Sequence, residues 1–398
     1  MSATLPCRRI PGLSPPEPAN ARRAWRPRQP APDNHRWEPP VPDPLLFQPI
    51  RFRSVEARNR IAVSPMCQYS ATDGVGDDWH VQNLGAKAAG GPGIVFTEAT
   101  HVSPEARITH GCLGLWNDEQ EELVGRLAAL IHRLGAVPGL QIAHAGRKGS
   151  TVRPWEGSRS LRPDEDPWPT LAPSAIPFYE DGQTPRQMSA EDIRTVAGQF
   201  GATAARARRA GFKVVEVHAA HGYLLHEFLS PLTNQRNDAW GGDLRGRARM
   251  LMEVLDAVRG EWPAELPLFV RLSSTDWIEG GLEPDDAVQI ARWLKARGDV
   301  DLVDCSSGGI VPHSRPPRLY PGYQVPLAER IRREAGIATG AVGMIRSPEQ
   351  AAEIIENGRA DLVFVARAVL AEPGWPLRVA AALGVKPPLP VQYERAIL

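Results

Sequence analysis

Residues 189–226 read SAEDIRTVAGQFGATAARARRAGFKVVEVHAAHGYLLH, and the fold turns on how this stretch divides. Its first part, 189–210, opens on Ser189 with Glu191 and Asp192 close behind, and it closes on Arg206, Arg208 and Arg209. Acidic residues at the start and basic ones at the end complement a helix dipole, so this part predicts a helix. Residues 214–218 follow as a short valine-rich run, the signature of a strand covered on both faces. Seven more such runs occur, at 60–64, 94–98, 139–143, 268–272, 302–306, 339–342 and 362–366. Helical patterns lie between them. Residues 117–134 open on Asn117, Asp118 and Glu119, and residues 347–357 open on Ser347, Pro348 and Glu349 and stop before Gly358. Eight strands alternating with helices predict an α/β fold with parallel strands, and eight is the number that closes a (β/α)8 TIM barrel. An open doubly wound sheet is the alternative, but no GxGxxG follows the first strand.

Composition narrows the function. The 398 residues hold 46 Lys+Arg and 46 Asp+Glu, so no net charge draws the chain to nucleic acid or to an anionic membrane. No apolar run reaches the 18 residues of a membrane span. Cys7, Cys67, Cys112 and Cys305 are far apart and form neither a disulfide framework nor a zinc ribbon, which fits a reducing, cytoplasmic setting. Residues 1–43 are rich in Pro and Arg and show no period; they are expected to be a disordered or non-native extension. The barrel is expected over 44–385, with 386–398 as a C-terminal tail.

Polar residues at the C-terminal ends of barrel strands carry the chemistry of this architecture. The first strand runs into Ser64, Pro65, Met66, Cys67, Gln68 and Tyr69. The third places Gln141 at the mouth, where an amide donates and accepts, as a uracil-like edge requires. The fourth gives His218, His221 and Tyr223: two imidazoles able to hold one oxygen, and a phenol able to deliver a proton. Histidines this close also suit a metal, so a metal-dependent hydrolase using His218 and His221 is the competing reading. The fifth strand ends near Arg271, a ligand contact or a buried ion pair. After the seventh and eighth come Gly343, Ala366 and Arg367, where this fold habitually holds a phosphate. Schiff-base chemistry is disfavoured, because Lys213 lies at the wrong end of its strand and only Lys148 falls near the mouth.

From Leu45 onward the chain resembles the old yellow enzyme family, in its bacterial thermophilic-like (YqjM-like) branch. The motifs are SPMCQY at 64–69, TEAT at 97–100, Gln141 with HAGRK at 144–148, HAAHGYLL at 218–225, SPLTNQR at 230–236, WGG at 240–242 and NGRAD at 357–361. The resemblance implies an ene-reductase with non-covalent FMN, reloaded by NADPH, that reduces the C=C bond of a small enone-type substrate. By similarity Ser64, Pro65, Met66, Cys67, Ala99, Gln141 and Arg271 border the flavin ring, and Gly343, Ala366 and Arg367 hold its phosphate. Cys67 tunes the flavin. His218 and His221 bind the substrate carbonyl, Tyr69 positions the substrate, and Tyr223 is the proton donor. The terminal QYER at 392–395 resembles a segment that reaches a neighbouring subunit, which implies a homodimer or homotetramer with Arg395 acting in trans. A glycine often stands where this chain has Ala366. The cysteine cluster of the larger dienoyl-ester-reducing relatives is missing.

Overall fold

The computed structural model describes residues 42–396, apart from 314, 315, 317 and 388; residues 1–41 of the expected extension lie outside them. Eight strands form the barrel: β1 Ile61–Val63, β2 Ile94–His101, β3 Val137–Ala143, β4 Val214–Ala219, β5 Leu268–Ser273, β6 Leu302–Ser306, β7 Ala338–Ala341 and β8 Leu362–Val365. Eight helices follow them in turn: α1 Asp78–Ala89, α2 Asp118–Arg133, α3 Ala190–Arg209, α4 Arg249–Glu261, α5 Pro284–Arg297, α6 Val325–Ala335, α7 Pro348–Glu356 and α8 Trp375–Ala382. Each strand pairs in parallel with its neighbours in sequence, and β8 closes on β1. The expected caps are present. Asn117, Ser189 and Ser347 each accept a backbone N–H at the start of α2, α3 and α7.

Successive strand residues point to opposite faces. In β4, Val215, Val217 and Ala219 join the large apolar layer under the helices, whereas Val214 faces the barrel interior. The interior begins with an aromatic floor. Phe96 stacks on Phe364 with ring centroids 5.9 Å apart, and Phe269 lies 6.3 Å from Phe96. A hairpin of Ile50–Phe52 and Val55–Ala57 seals the N-terminal end, with Phe52 edge-on to Phe269 at 5.1 Å. Two residues further along the same strands the interior turns polar, with Gln141, Glu216, Arg271 and Asp304 all buried.

Strand β2 runs on to His101 because it carries a bulge. Phe96 pairs with Gly139, but Ala99 pairs with Gln141, so one extra residue is accommodated. The long segment 144–188 folds as short 3-10 turns and a pair of two-residue strands, Leu171–Ala172 and Arg186–Gln187.

Candidate active site

The end of β4 is held in an unusual conformation. His221 has φ +59° and Gly222 φ +75°, two consecutive left-handed residues. Such a φ costs a non-glycine residue on the order of 1 kcal/mol. At Gly222 a side chain would run into the Gly309 carbonyl. Hydrogen bonds brace the turn. The His221 N–H donates to Ser273 Oγ at 2.9 Å, and the Gly222 N–H donates to His226 Nδ1 at 2.8 Å. His226 Nε2 in turn meets Asp276 Oδ1 at 2.9 Å, and the other Asp276 oxygen accepts from Ser230 Oγ and the Leu282 N–H, both at 2.7 Å.

The turn brings the expected residues together. The His218 and His221 rings stand at 89°, with His218 Nε2 3.3 Å from His221 Nδ1. Tyr223 lies edge-on to His218 at 5.1 Å and packs in one cluster with Cys67 and Tyr69. Burial first, then the nearby Arg271 charge, holds both imidazoles well below the ordinary histidine range, so both are neutral. Burial and the neighbouring Cys67 push the Tyr223 phenol up, so it keeps its proton. Burial and Glu98 likewise raise the Cys67 thiol, which makes it a poor nucleophile.

The ledge before the site, Pro65 to Tyr69, is half-buried. The β2 bulge turns Glu98 to accept from the Gln68 N–H at 3.2 Å and to face His80 Nε2 at 3.2 Å. Tyr69 has φ +54°, lies edge-on to Trp155, and offers its carbonyl to Arg153 Nε at 3.0 Å. Lys148 Nζ donates to the His221 carbonyl at 2.8 Å and sits 4.9 Å over the Tyr223 ring; burial lowers it to about 8. Arg147 ties the segment down through the carbonyls of Ile176, Pro177 and Ile310.

Beneath the histidines, cross-strand register sets His218 beside Arg271 and Arg271 beside Asp304. Arg271 Nε meets Asp304 Oδ2 at 3.0 Å, and the Gln141 amide N–H donates to Glu216 Oε1 at 2.8 Å. Arg271 is thus the buried ion pair weighed above, and it still lies beside the histidine that faces the mouth. Burial raises both Glu216 and Asp304; Arg271 opposes the rise. A second pocket brings Gly343, Ala366 and Arg367 together with Tyr323, Gln324, Met344 and Arg346. Gly343 has φ +125°, and a Cβ there would press on Gln324. Two arginines without a carboxylate in the lining suit a phosphate dianion. Ala366 has φ −118°, outside the left-handed region that calls for glycine. The half-buried ledge, the cationic mouth and the arginine pocket fit FMN. Arg395 is exposed on the terminal turn Val391–Ala396, and none of these contacts includes it.

The model of the NADH:flavin oxidoreductase / NADH oxidase family matches residues 45–385. The chain belongs to this family. Within it, the chain is similar to the NADPH dehydrogenase of Geobacillus thermodenitrificans, 48% identical over 353 residues that cover 88% of this chain and 98% of the relative. Among solved structures it is similar to morphinone reductase, with a TM-score of 0.70 and 27% identity over 86% of this chain and 91% of that one. It is also similar to the old yellow enzyme homologue from Zymomonas mobilis, with a TM-score of 0.70 and 25% identity over 85% of this chain and 93% of that one. The family membership makes the chain an FMN-dependent oxidoreductase and bears out the resemblance read from its motifs. Among the described residues no group of three or more His, Cys, Asp or Glu side chains could hold a metal ion, so the hydrolase reading lacks a ligand set. No described helix is long and apolar enough to cross a membrane.

Sequence reasoning passed over Asp304, Glu216, Ser306, Gln324 and Arg346. Glu216 and Asp304 carried a local signal, each a carboxylate interrupting an apolar strand run, at 214–218 and 302–306.

Proposed function

We propose that this flavin oxidoreductase takes hydride from NADPH and reduces the C=C bond of α,β-unsaturated carbonyl compounds. The observation that carries the reading is the meeting of two neutral imidazole nitrogens at 3.3 Å beside a protonated phenol, above a buried arginine. When bound, FMN supplies the hydride carrier between nicotinamide and alkene. His218 and His221 hold the carbonyl oxygen, which draws electron density from the conjugated alkene. As hydride reaches the β-carbon, negative charge gathers on that oxygen, and each N–H that meets it is worth on the order of 3 kcal/mol. Tyr223 gives its proton to the α-carbon. Tyr69 lines the substrate side, and the ledge Ser64 to Cys67 with Ala99, Gln141 and Arg271 borders the ring system. Gly343, Ala366 and Arg367 hold the phosphate, aided by Arg346. The chain works in the cytoplasm as a homodimer or homotetramer, with Arg395 reaching a neighbour's mouth. Truncation after Val391 then lowers activity and shifts the oligomer size in sedimentation; unchanged values for both would remove the tail from the reading.

The decisive test is an anaerobic titration. The purified protein is yellow, bleaches with NADPH and recolours when 2-cyclohexenone is added. A colourless protein that takes up no FMN would overturn the assignment.

A further inference from the structure

Ser306 ends β6 with its hydroxyl 2.6 Å from His221 Nε2. A neutral imidazole carries one N–H, and its partners decide which nitrogen holds the proton. For His218 that choice is fixed. Its Nδ1 accepts the Ala220 backbone N–H at 3.2 Å, so its proton sits on Nε2, the nitrogen facing His221.

His221 has two options. With its proton on Nε2 it donates to Ser306, and its bare Nδ1 accepts the His218 proton at 3.3 Å. The two rings then satisfy each other, and neither N–H is left for an incoming oxygen. With its proton on Nδ1, Ser306 must donate to Nε2, and the two N–H groups converge on one point. Only this second state is a two-donor clamp. The direction of the Ser306 hydroxyl proton therefore decides whether the pair can act.

Without an oxygen between them the two N–H groups would face each other at 3.3 Å, so the second state belongs to the enone-bound site, and there the surroundings favour it. Ser306 is buried, so bulk water does not compete for the proton. Its other acceptor, Gln324 Oε1, is 3.5 Å away, and Ser307 Oγ donates to that same oxygen from closer range. The Ser306 proton is thus left for His221. We propose that Ser306 is a positioning residue that selects the Nδ1–H form of His221 and so creates the second donor of the clamp. The inference rests on the clamp reading above. It goes beyond it by placing the control of that clamp on β6, outside the motif that holds the histidines.

The test is 15N NMR of the FMN-loaded protein with labelled histidine, in its oxidised form with and without 2-cyclohexenone. The shifts report which nitrogen of each ring is protonated, and His221→Ala assigns the signals. With enone bound, wild-type His221 is expected to carry its proton on Nδ1. Ser306→Ala moves it to Nε2 and lowers the rate of alkene reduction on the order of 10²-fold. Ser306→Thr, which keeps a hydroxyl, retains the wild-type form and most of the rate. A wild-type complex protonated on Nε2 would overturn the proposal without any variant, and so would an unchanged form in Ser306→Ala. Failure of the clamp reading itself looks different: His221→Ala would then reduce the enone at the wild-type rate, whichever nitrogen holds the proton.

Discussion

The barrel interior has two levels built from the same strands, and they do opposite work. The lower level is the aromatic floor of Phe96, Phe269 and Phe364, sealed by Phe52. Two residues further on, β5 exchanges Phe269 for Arg271 and β6 exchanges Leu302 for Asp304. Below, burial stabilises the fold through apolar area. Above, burial is spent on keeping imidazoles neutral and a guanidinium dry beside a carboxylate, which desolvation opposes. A step of two residues along a strand thus separates stability from chemistry.

This contrast can be broken from below. Phe269→Ala removes a ring that touches both Phe52 and Phe96, and should cost about 3–5 kcal/mol of stability, read by denaturant unfolding. A loss under about 1 kcal/mol would mean that the floor is not a packed layer. From above, His218→Ala or His221→Ala should cut alkene reduction on the order of 10²–10³-fold, about 3 kcal/mol of transition-state stabilisation, while FMN stays bound. Loss of flavin in both variants would make the pair structural and erase the distinction between the levels.

A smaller effect sharpens it. His101 and His144 lie buried near the mouth, and burial lowers them to about 4 and about 3. An unfolded histidine titrates near about 6.5. Between these values the unfolded chain binds protons that these two folded histidines refuse, so their contribution to stability falls as pH drops from about 6.5 toward 4. Each histidine contributes a loss of up to about 1.4 kcal/mol per pH unit in that window. Thermal melts across it should show that loss as a difference in slope between the wild type and His101→Gln. The raised Glu216, Glu227 and Asp304 carboxyls act with the opposite sign in this window, so the comparison decides: a His101→Gln slope equal to wild type would mean that His101 is not held neutral.

Much of the fold was legible because parallel barrel strands leave a one-dimensional trace: covered on both faces, they read as apolar runs. All eight expected strands occur, displaced by at most three residues at any end. The helix starts were legible too, since Asn117, Ser189 and Ser347 cap them through contacts spanning three residues. The histidine–tyrosine cluster was equally local, lying within six consecutive residues of β4 and its turn. What stayed hidden depends on register. Asp304 meets Arg271, and Ser306 meets His221, only because β6 lies beside β5 at a fixed offset. The β2 bulge was hidden for the same reason, since an extra residue shows only against its partner strand. Segment 144–188 lacks any period, and its course is set by Arg147 and Lys148 reaching carbonyls far along the chain.

The closure of β8 on β1 has a consequence for the order in which the molecule can be made. Every other barrel pairing joins strands adjacent in sequence, but Val63 meets Val365 across about three hundred residues. Entropy alone penalises so long a loop only weakly, since the cost grows with the logarithm of its length. Timing is the sharper constraint. Until Leu362–Val365 leaves the ribosome, β1 and the last strand already made remain open edges, exposed to pairing with other chains. The ring is completed, and the arginine-lined pocket around Gly343 and Ala366 assembled, in the same late event, so a nascent chain gains its protection from aggregation and this pocket together.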